Sequence, residues 1–173
     1  MITTERLELI PATTALVRAA LESPQALQSK LGAIVPDSWP PEFLDTASLE
    51  YTIDRLNEGP EQAGWWLHFI ILAHGPDGRT LIGSAGFKGP VSPDGTVEVG
   101  YAIVRDYQRL GYASEAVRGL LARAFAVPEV RRVIAETLPE LEPSIGVLRK
   151  CGFVPAESGS EPGVIRLEFK RSS

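Results

Sequence analysis

Val97–Phe125 reads VEVGYAIVRDYQRLGYASEAVRGLLARAF, and the reading of this stretch decides the fold. VEVGYAIV alternates like a strand, whereas Ala113, Ala116, Val117, Leu120, Leu121, Ala124 and Phe125 recur at the 3.6-residue spacing of a helix. Between them lies Gln108-Arg109-Leu110-Gly111-Tyr112-Ala113, a small-residue turn that opens the helix. The first N–H groups of a helix have no intrahelical partner, and the helix dipole favours an anion beside them. Gly111 and Ala113 let a ligand approach the backbone, and Arg109 adds a fork of charged donors suited to phosphate oxygens.

Upstream of this stretch, WWLHFIILAH and TLIGSAGFKG read as strands, with GPDGR and SPDGT as turns. Short connections join antiparallel neighbours, so these strands and VEVGYAIV form a meander. Downstream, Pro128 ends the Gly111–Ala126 helix and Arg132–Thr137 is a strand. The strand–helix–strand crossover makes it parallel to VEVGYAIV. A short helix over Glu142–Cys151 follows, then the strands FVPAES and GVIRLEFK.

The amino-terminal part begins with a strand, Thr4–Ile10, closed by Pro11. Helical material runs from Thr13 to Leu31, interrupted near Pro24, with Thr13 and Ser23 as caps. GAIVPDSWPPEF is a proline-rich loop, and a further helix spans Glu42–Asn57. The expected fold class is α/β, more narrowly an α+β mixed sheet. An antiparallel meander turns parallel at the crossover, helices cover both faces, and one domain spans 1–173. A doubly wound dinucleotide fold would alternate strand and helix from the start. The turn also lacks the third glycine of G-x-G-x-x-G and the G-K-[ST] of a P-loop.

At 173 residues the chain is long enough to bury a proper core. No apolar run approaches the ~20 residues of a membrane span, and MITTERLELI lacks a secretory layout. One cysteine precludes an internal disulfide framework, and two histidines argue against a structural metal site. The expectation is therefore a cytoplasmic protein with no metal and no membrane partner. A net charge of −5 argues against a nucleic-acid partner and accords with a cationic substrate such as an amine.

The element order, with Q-x-x-G-x-A at the strand–helix turn, resembles the GNAT superfamily of acyl-CoA-dependent N-acyltransferases. LIGSAGF resembles the family's third strand and VEVGYAIV its fourth. LPELEPSIGVLRKCGF resembles its late motif, commonly P-E-N-x-x-S-x-x-V-L-x-K-x-G-F. The likeness runs from Thr4 to Lys170, and the nearest branch looks like the RimJ/RimL type, which acetylates protein amino termini or small amines.

The resemblance implies acetyl-CoA as cosubstrate, with its pyrophosphate on the N–H groups of Arg109, Leu110, Gly111, Tyr112, Ala113 and Ser114, beside Gln108. Pantetheine would pair its amides with backbone near Ile103 and Val104. A bulge in the family's fourth strand, tolerated here by Gly100, would free an N–H for the thioester oxyanion. The attacking amine must be neutral, and a carboxylate acting through water can take its proton. Glu98 is the candidate base; the competing reading is a charge on the solvent side of a strand. Many members use a late tyrosine as proton donor to the departing thiolate. No tyrosine follows Tyr112 here, which leaves Ser144 to hydrogen-bond the sulfur, or merely the local backbone. Leu141 stands where the motif has asparagine, which places one cofactor contact in doubt.

In the resembled branch the early helices and their connecting loop cover the acceptor side, which implies acceptor-side roles for Trp39 and Phe43 of the proline-rich loop. Cys151 reads as a packing thiol, since no histidine stands near it in sequence to activate it. The resulting expectation is direct acetyl transfer to a primary amine, from a monomer or homodimer. The main alternative is a non-catalytic acyl-CoA-binding regulatory module. GVIRLEFK either pairs across a dimer or finishes the sheet.

Overall fold

The computed structural model describes residues 1–172, one fewer than the span expected for the domain. In chain order the elements are β1 (Ile2–Thr3), β2 (Leu7–Pro11), α1 (Thr14–Glu22), α2 (Pro24–Leu31) and α3 (Thr46–Leu56). The meander follows as β3 (Leu67–Gly75), β4 (Gly78–Phe87) and β5 (Thr96–Ile103). Then come α4 (Tyr112–Phe125), β6 (Arg132–Thr137), α5 (Glu142–Lys150), β7 (Val154–Ser158) and β8 (Ile165–Lys170). The sheet has eight strands in the order β1-β2-β3-β4-β5-β6-β8-β7, and β5–β6 is its parallel pair. This is the mixed α/β sheet expected from the meander and the crossover.

Beyond shifts of one or two residues at element ends, three features differ from expectation. The first strand is a hairpin, because the Thr4 N–H donates to the Leu7 carbonyl at 2.9 Å and folds the chain back. The additional strand makes VEVGYAIV the fifth here. The third helix starts at Thr46, not Glu42, because Asp45 and Ser48 form a reciprocal capping box with bonds of 2.8 and 3.0 Å. Glu42 and Phe43 are thereby left in the loop. GVIRLEFK neither ends the sheet nor offers a free edge, since β8 lies between β6 and β7. Thr13 and Ser23 do cap α1 and α2, accepting the N–H groups of Leu16 and Ala26.

Two apolar layers flank the sheet. On one face Ala116, Val117, Leu120 and Ala124 of α4 and Leu148 of α5 pack against Leu9, Ile70, Val97, Val99 and Leu167. On the other, Val17, Leu27 and Leu49 of α1–α3 pack against Phe69, Ile71 and Leu81.

What positions the site is a split in the sheet. β5 meets β6 only at Thr96–Arg132, Val97–Val133 and Glu98–Ile134. From Val99 to Ile103 it pairs with β4 alone. The β4 register is unbroken from Lys88–Glu98 to Ile82–Val104, so β5 contains no bulge and the two halves of the sheet part without one. That corrects the bulge expected at Gly100. Because Glu98 and Val104 bond β4 through their main chains, alternation turns the main-chain groups of Tyr101 and Ile103 toward the split.

Candidate active site

The split opens into a cleft of about 560 Å³, walled by the end of β5, the start of α4 and one face of α5. Its lining includes Tyr101, Ala102, Ile103, Arg109, Gly111–Ser114, Leu141, Ser144, Val147 and Lys150, with Glu42 and Phe43 at the loop side.

The α4 end is built to present donors. Its capping residue is Gly111, so no side chain satisfies the N–H groups of Tyr112, Ala113 and Ser114. Arg109 and Gly111 both take left-handed backbone, with φ of 64° and 85°. Such alternation curls successive N–H groups around a concavity that suits an anion. The cations Arg109 and Lys150 line the same space.

The turn is braced from beneath by a residue the sequence reading passed over. Arg6 donates to the Leu110 carbonyl at 3.1 Å and to Glu115 at 2.7 Å, and its guanidinium stacks 4.3 Å from the Tyr112 ring. Glu115 also accepts from the Thr4 hydroxyl at 2.5 Å and the Arg6 backbone N–H at 2.7 Å. Burial pushes the Glu115 carboxyl up, but these bonds outweigh it and hold the group below the usual range. No local motif announces Arg6, because the β1–β2 hairpin brings it to the turn from the far end of the chain.

The expected cofactor residues divide. Arg109, Gly111, Tyr112, Ala113 and the buried Ser114 line the cleft, as does Ile103. Gln108 lines it too, but its side-chain amide donates to the Ile103 carbonyl at 2.8 Å, which removes that acceptor from the open edge. Val104 is buried, with its N–H bonded to Ile82, and Leu110 points into solvent. The main-chain groups left open toward the split are therefore those of Tyr101 and the Ile103 N–H, earlier along β5 than expected.

The expected catalytic pair does not converge. Ser144 lines the cleft, whereas Glu98 does not, and the Lys88 ammonium lies 2.7 Å from its carboxylate. Glu42 is the carboxylate on the cleft lining. Ser144 instead meets Tyr101, whose hydroxyl is 3.0 Å from the Ser144 carbonyl oxygen and 3.1 Å from its Oγ. Burial pushes the Tyr101 phenol up.

Trp39 does not line the cleft: it packs on Phe69, ring centroids 6.2 Å apart, against the α1–α3 core. Phe43 stays at the lip, 83% exposed with φ of 69°, a left-handed conformation uncommon for a bulky residue. Leu141 occupies the capping position of α5 without a side-chain bond, where asparagine would supply one. Cys151 is buried and donates to the Ser114 carbonyl, and burial pushes its thiol up. Among the described residues no cluster of His, Cys, Asp or Glu could hold a metal ion, and no helix is long and apolar enough to cross a membrane.

The sequence over residues 6–154 matches the family description Acetyltransferase (GNAT) domain. The chain belongs to the GNAT acetyltransferases. It is 26% identical over 162 residues to the uncharacterized N-acetyltransferase YjdG of Bacillus subtilis (strain 168), which covers 93% of this chain and 94% of that protein. The fold is shared with RimL, the ribosomal L7/L12 alpha-N-protein acetyltransferase solved with coenzyme A (TM-score 0.61, 17% identity, 96% of this chain and 95% of that one). It is shared equally with AAC(6')-Ib solved with ribostamycin and coenzyme A (TM-score 0.66, 16% identity, 96% and 94%). This GNAT protein is thus an acetyl-CoA-dependent acetyltransferase, and no metal-binding cluster is found among its described residues. Its cleft suits that cosubstrate: unpaired helix N–H groups and two cations at one end, and an open strand edge leading away from them.

Proposed function

We propose that this protein transfers acetyl from acetyl-CoA directly to a primary amine, in the manner of the RimJ/RimL branch. The carrying observation is the three-pair contact between β5 and β6, which leaves an open strand edge beside the uncapped start of α4. The pyrophosphate sits on the N–H groups of Tyr112 to Ser114, with Arg109 and Lys150 beside it. Pantetheine runs along β5 and pairs with Tyr101 and the Ile103 N–H. Gln108 holds the end of the strand and does not bind the ligand through its side chain.

The thioester then lies where the sheet divides, with Ser144 donating to the sulfur. The acceptor enters past Glu42 and Phe43. Glu42 attracts its ammonium form, and an α-amine with a pKa of ~7.7–8.0 is partly free to attack at neutral pH. Glu98, closed by Lys88, is not the base in this reading. Peptide N-termini and small-molecule amines remain as the two acceptor classes, and the enzyme acts in the cytoplasm as a monomer or homodimer.

The test is thiol release from acetyl-CoA across peptide N-termini, polyamines, amino acids and aminoglycosides. Turnover confined to one class names the acceptor. Coenzyme A binding with no turnover on any amine would favour the non-catalytic module instead.

A further inference from the structure

We propose that Tyr101 is a positioning residue for the leaving thiolate and acts through Ser144. The inference rests on the acyl-CoA reading of the cleft given above. Tyr101 stands on the part of β5 that has lost β6, paired with Ala85 on its other side. Its side chain bridges to the first turn of α5, and its hydroxyl has two acceptors there at nearly equal range. One is the Ser144 carbonyl at 3.0 Å and the other is Ser144 Oγ at 3.1 Å.

A phenol carries one proton, so the two contacts define two states. In the first, Tyr101 donates to the carbonyl and Ser144 donates back to the phenol oxygen. In the second, Tyr101 donates to Ser144 Oγ, and the serine proton is released to point into the cleft. Passing from one to the other rotates two hydrogens and moves no heavy atom. The carbonyl can release Tyr101 because a helix supplies it with the N–H of Leu148. Without the phenol, a first-turn serine tends to spend its proton on neighbouring backbone.

The second state matches the demand made by transfer. The amine nitrogen bonds to the acyl carbon and the carbonyl π pair moves to oxygen. As that oxyanion re-forms the carbonyl, the C–S bond breaks, its electron pair passes to sulfur, and the nitrogen gives its surplus proton to solvent water. Ser144 donates to that sulfur while Tyr101 donates to Ser144, and a chain of hydrogen bonds polarises each member in turn. The protons stay on oxygen: a thiol titrates near ~8.5 and a phenol near ~10, and burial pushes Tyr101 higher still. The relay lends hydrogen bonds, and solvent protonates the sulfur after release. A tyrosine that only anchored α5 would need the carbonyl alone. The contact to Oγ is the part that reaches the chemistry.

Titration of the coenzyme A thiol bound to the intact protein tests this without an acceptor. Its ultraviolet thiolate absorbance is followed against pH, with a ligand-free titration subtracted for the protein's own tyrosines and Cys151. Binding of coenzyme A is measured in parallel by calorimetry. The expected thiol pKa in wild type is about one unit below the ~8.5 of a free thiol. Tyr101→Phe, which keeps the ring in place, recovers about half of that shift. Ser144→Ala recovers all of it, and the double variant matches Ser144→Ala because the tyrosine acts through the serine. Normal binding with Tyr101→Phe titrating like wild type, or with the two substitutions additive, overturns the relay alone. Absence of coenzyme A binding overturns the acyl-CoA reading, and the relay with it.

Discussion

Gly111→Ala separates the backbone requirement of the turn from its ligand role. Gly111 has φ of 85° and ψ of 3°, and a Cβ there would lie 3.2 Å from an Arg6 guanidinium nitrogen. Arg6 is a flexible side chain and can yield by a few tenths of an ångström, so the left-handed backbone dominates the cost, about 1–2 kcal/mol. For a chain of this size that lowers Tm by about 2–8 °C. Gly163, with φ of 84° and nothing within 4 Å of its Cβ, carries the same backbone cost away from the cleft. Gly163→Ala should therefore lower Tm comparably and leave ligand affinity alone. Gly111→Ala should in addition weaken coenzyme A binding about ten-fold. The strained backbone and the yielding of Arg6 shift N–H groups whose charge-assisted bonds to phosphate contribute about 1.5–3 kcal/mol each. Calorimetric titration and thermal melts of both variants supply the comparison. Equal coenzyme A affinity in the two would refute the assignment of phosphate to this turn, and unchanged Tm in both would refute the backbone argument.

Three further outcomes follow from the geometry. Glu42→Gln should reduce kcat/KM for a cationic acceptor about five-fold, the worth of one unit charge near ~4 Å in water, while Glu98→Gln leaves it within about two-fold. The reverse ranking would return Glu98 to the role of base. Burial lowers the His68 imidazole from 6.5 to about 4, so the unfolded chain binds this proton first as pH falls. Stability contributed by the neutral ring is complete above pH 6.5 and is lost as pH drops toward about 4, some ~3 kcal/mol in all. His68→Gln should flatten that limb in denaturant melts. Cys151 in the native protein should resist alkylation, and Cys151→Ala should retain turnover. Loss of activity together with an acetylated cysteine in wild type would instead establish a covalent intermediate.

The strongest sequence signals were those confined to one element or one short connection. Two Pro-Asp-Gly turns specified the meander, helical spacing after Gly111 specified α4, and serine and threonine caps marked α1 and α2. Signals that depend on distant parts of the chain were silent. Arg6 reaches Leu110 and Glu115 only because the β1–β2 hairpin packs beside α4. Tyr101 meets Ser144 only because β5 parts from β6, and nothing in VEVGYAIV records where that parting starts. Glu98 illustrates the opposite failure. Its position on the strand was read correctly, yet Lys88 is its cross-strand partner, a pairing set by how the β4–β5 turn fixes the register and not by the strand that carries Glu98. Trp39 was expected beside Phe43 and packs instead on Phe69, away from the cleft lining, because a proline-rich loop gives no period from which to tell its buried side from its exposed one.

The central claim is that the parted edge of β5 and the uncapped start of α4 together hold acetyl-CoA. Amide hydrogen exchange with and without coenzyme A locates the ligand directly on the backbone. The account predicts slowed exchange at Tyr112–Ser114 and at Tyr101 and Ile103, with the α1–α3 face unchanged. Binding that leaves those amides exchanging as in the free protein, or protects another surface, would contradict it.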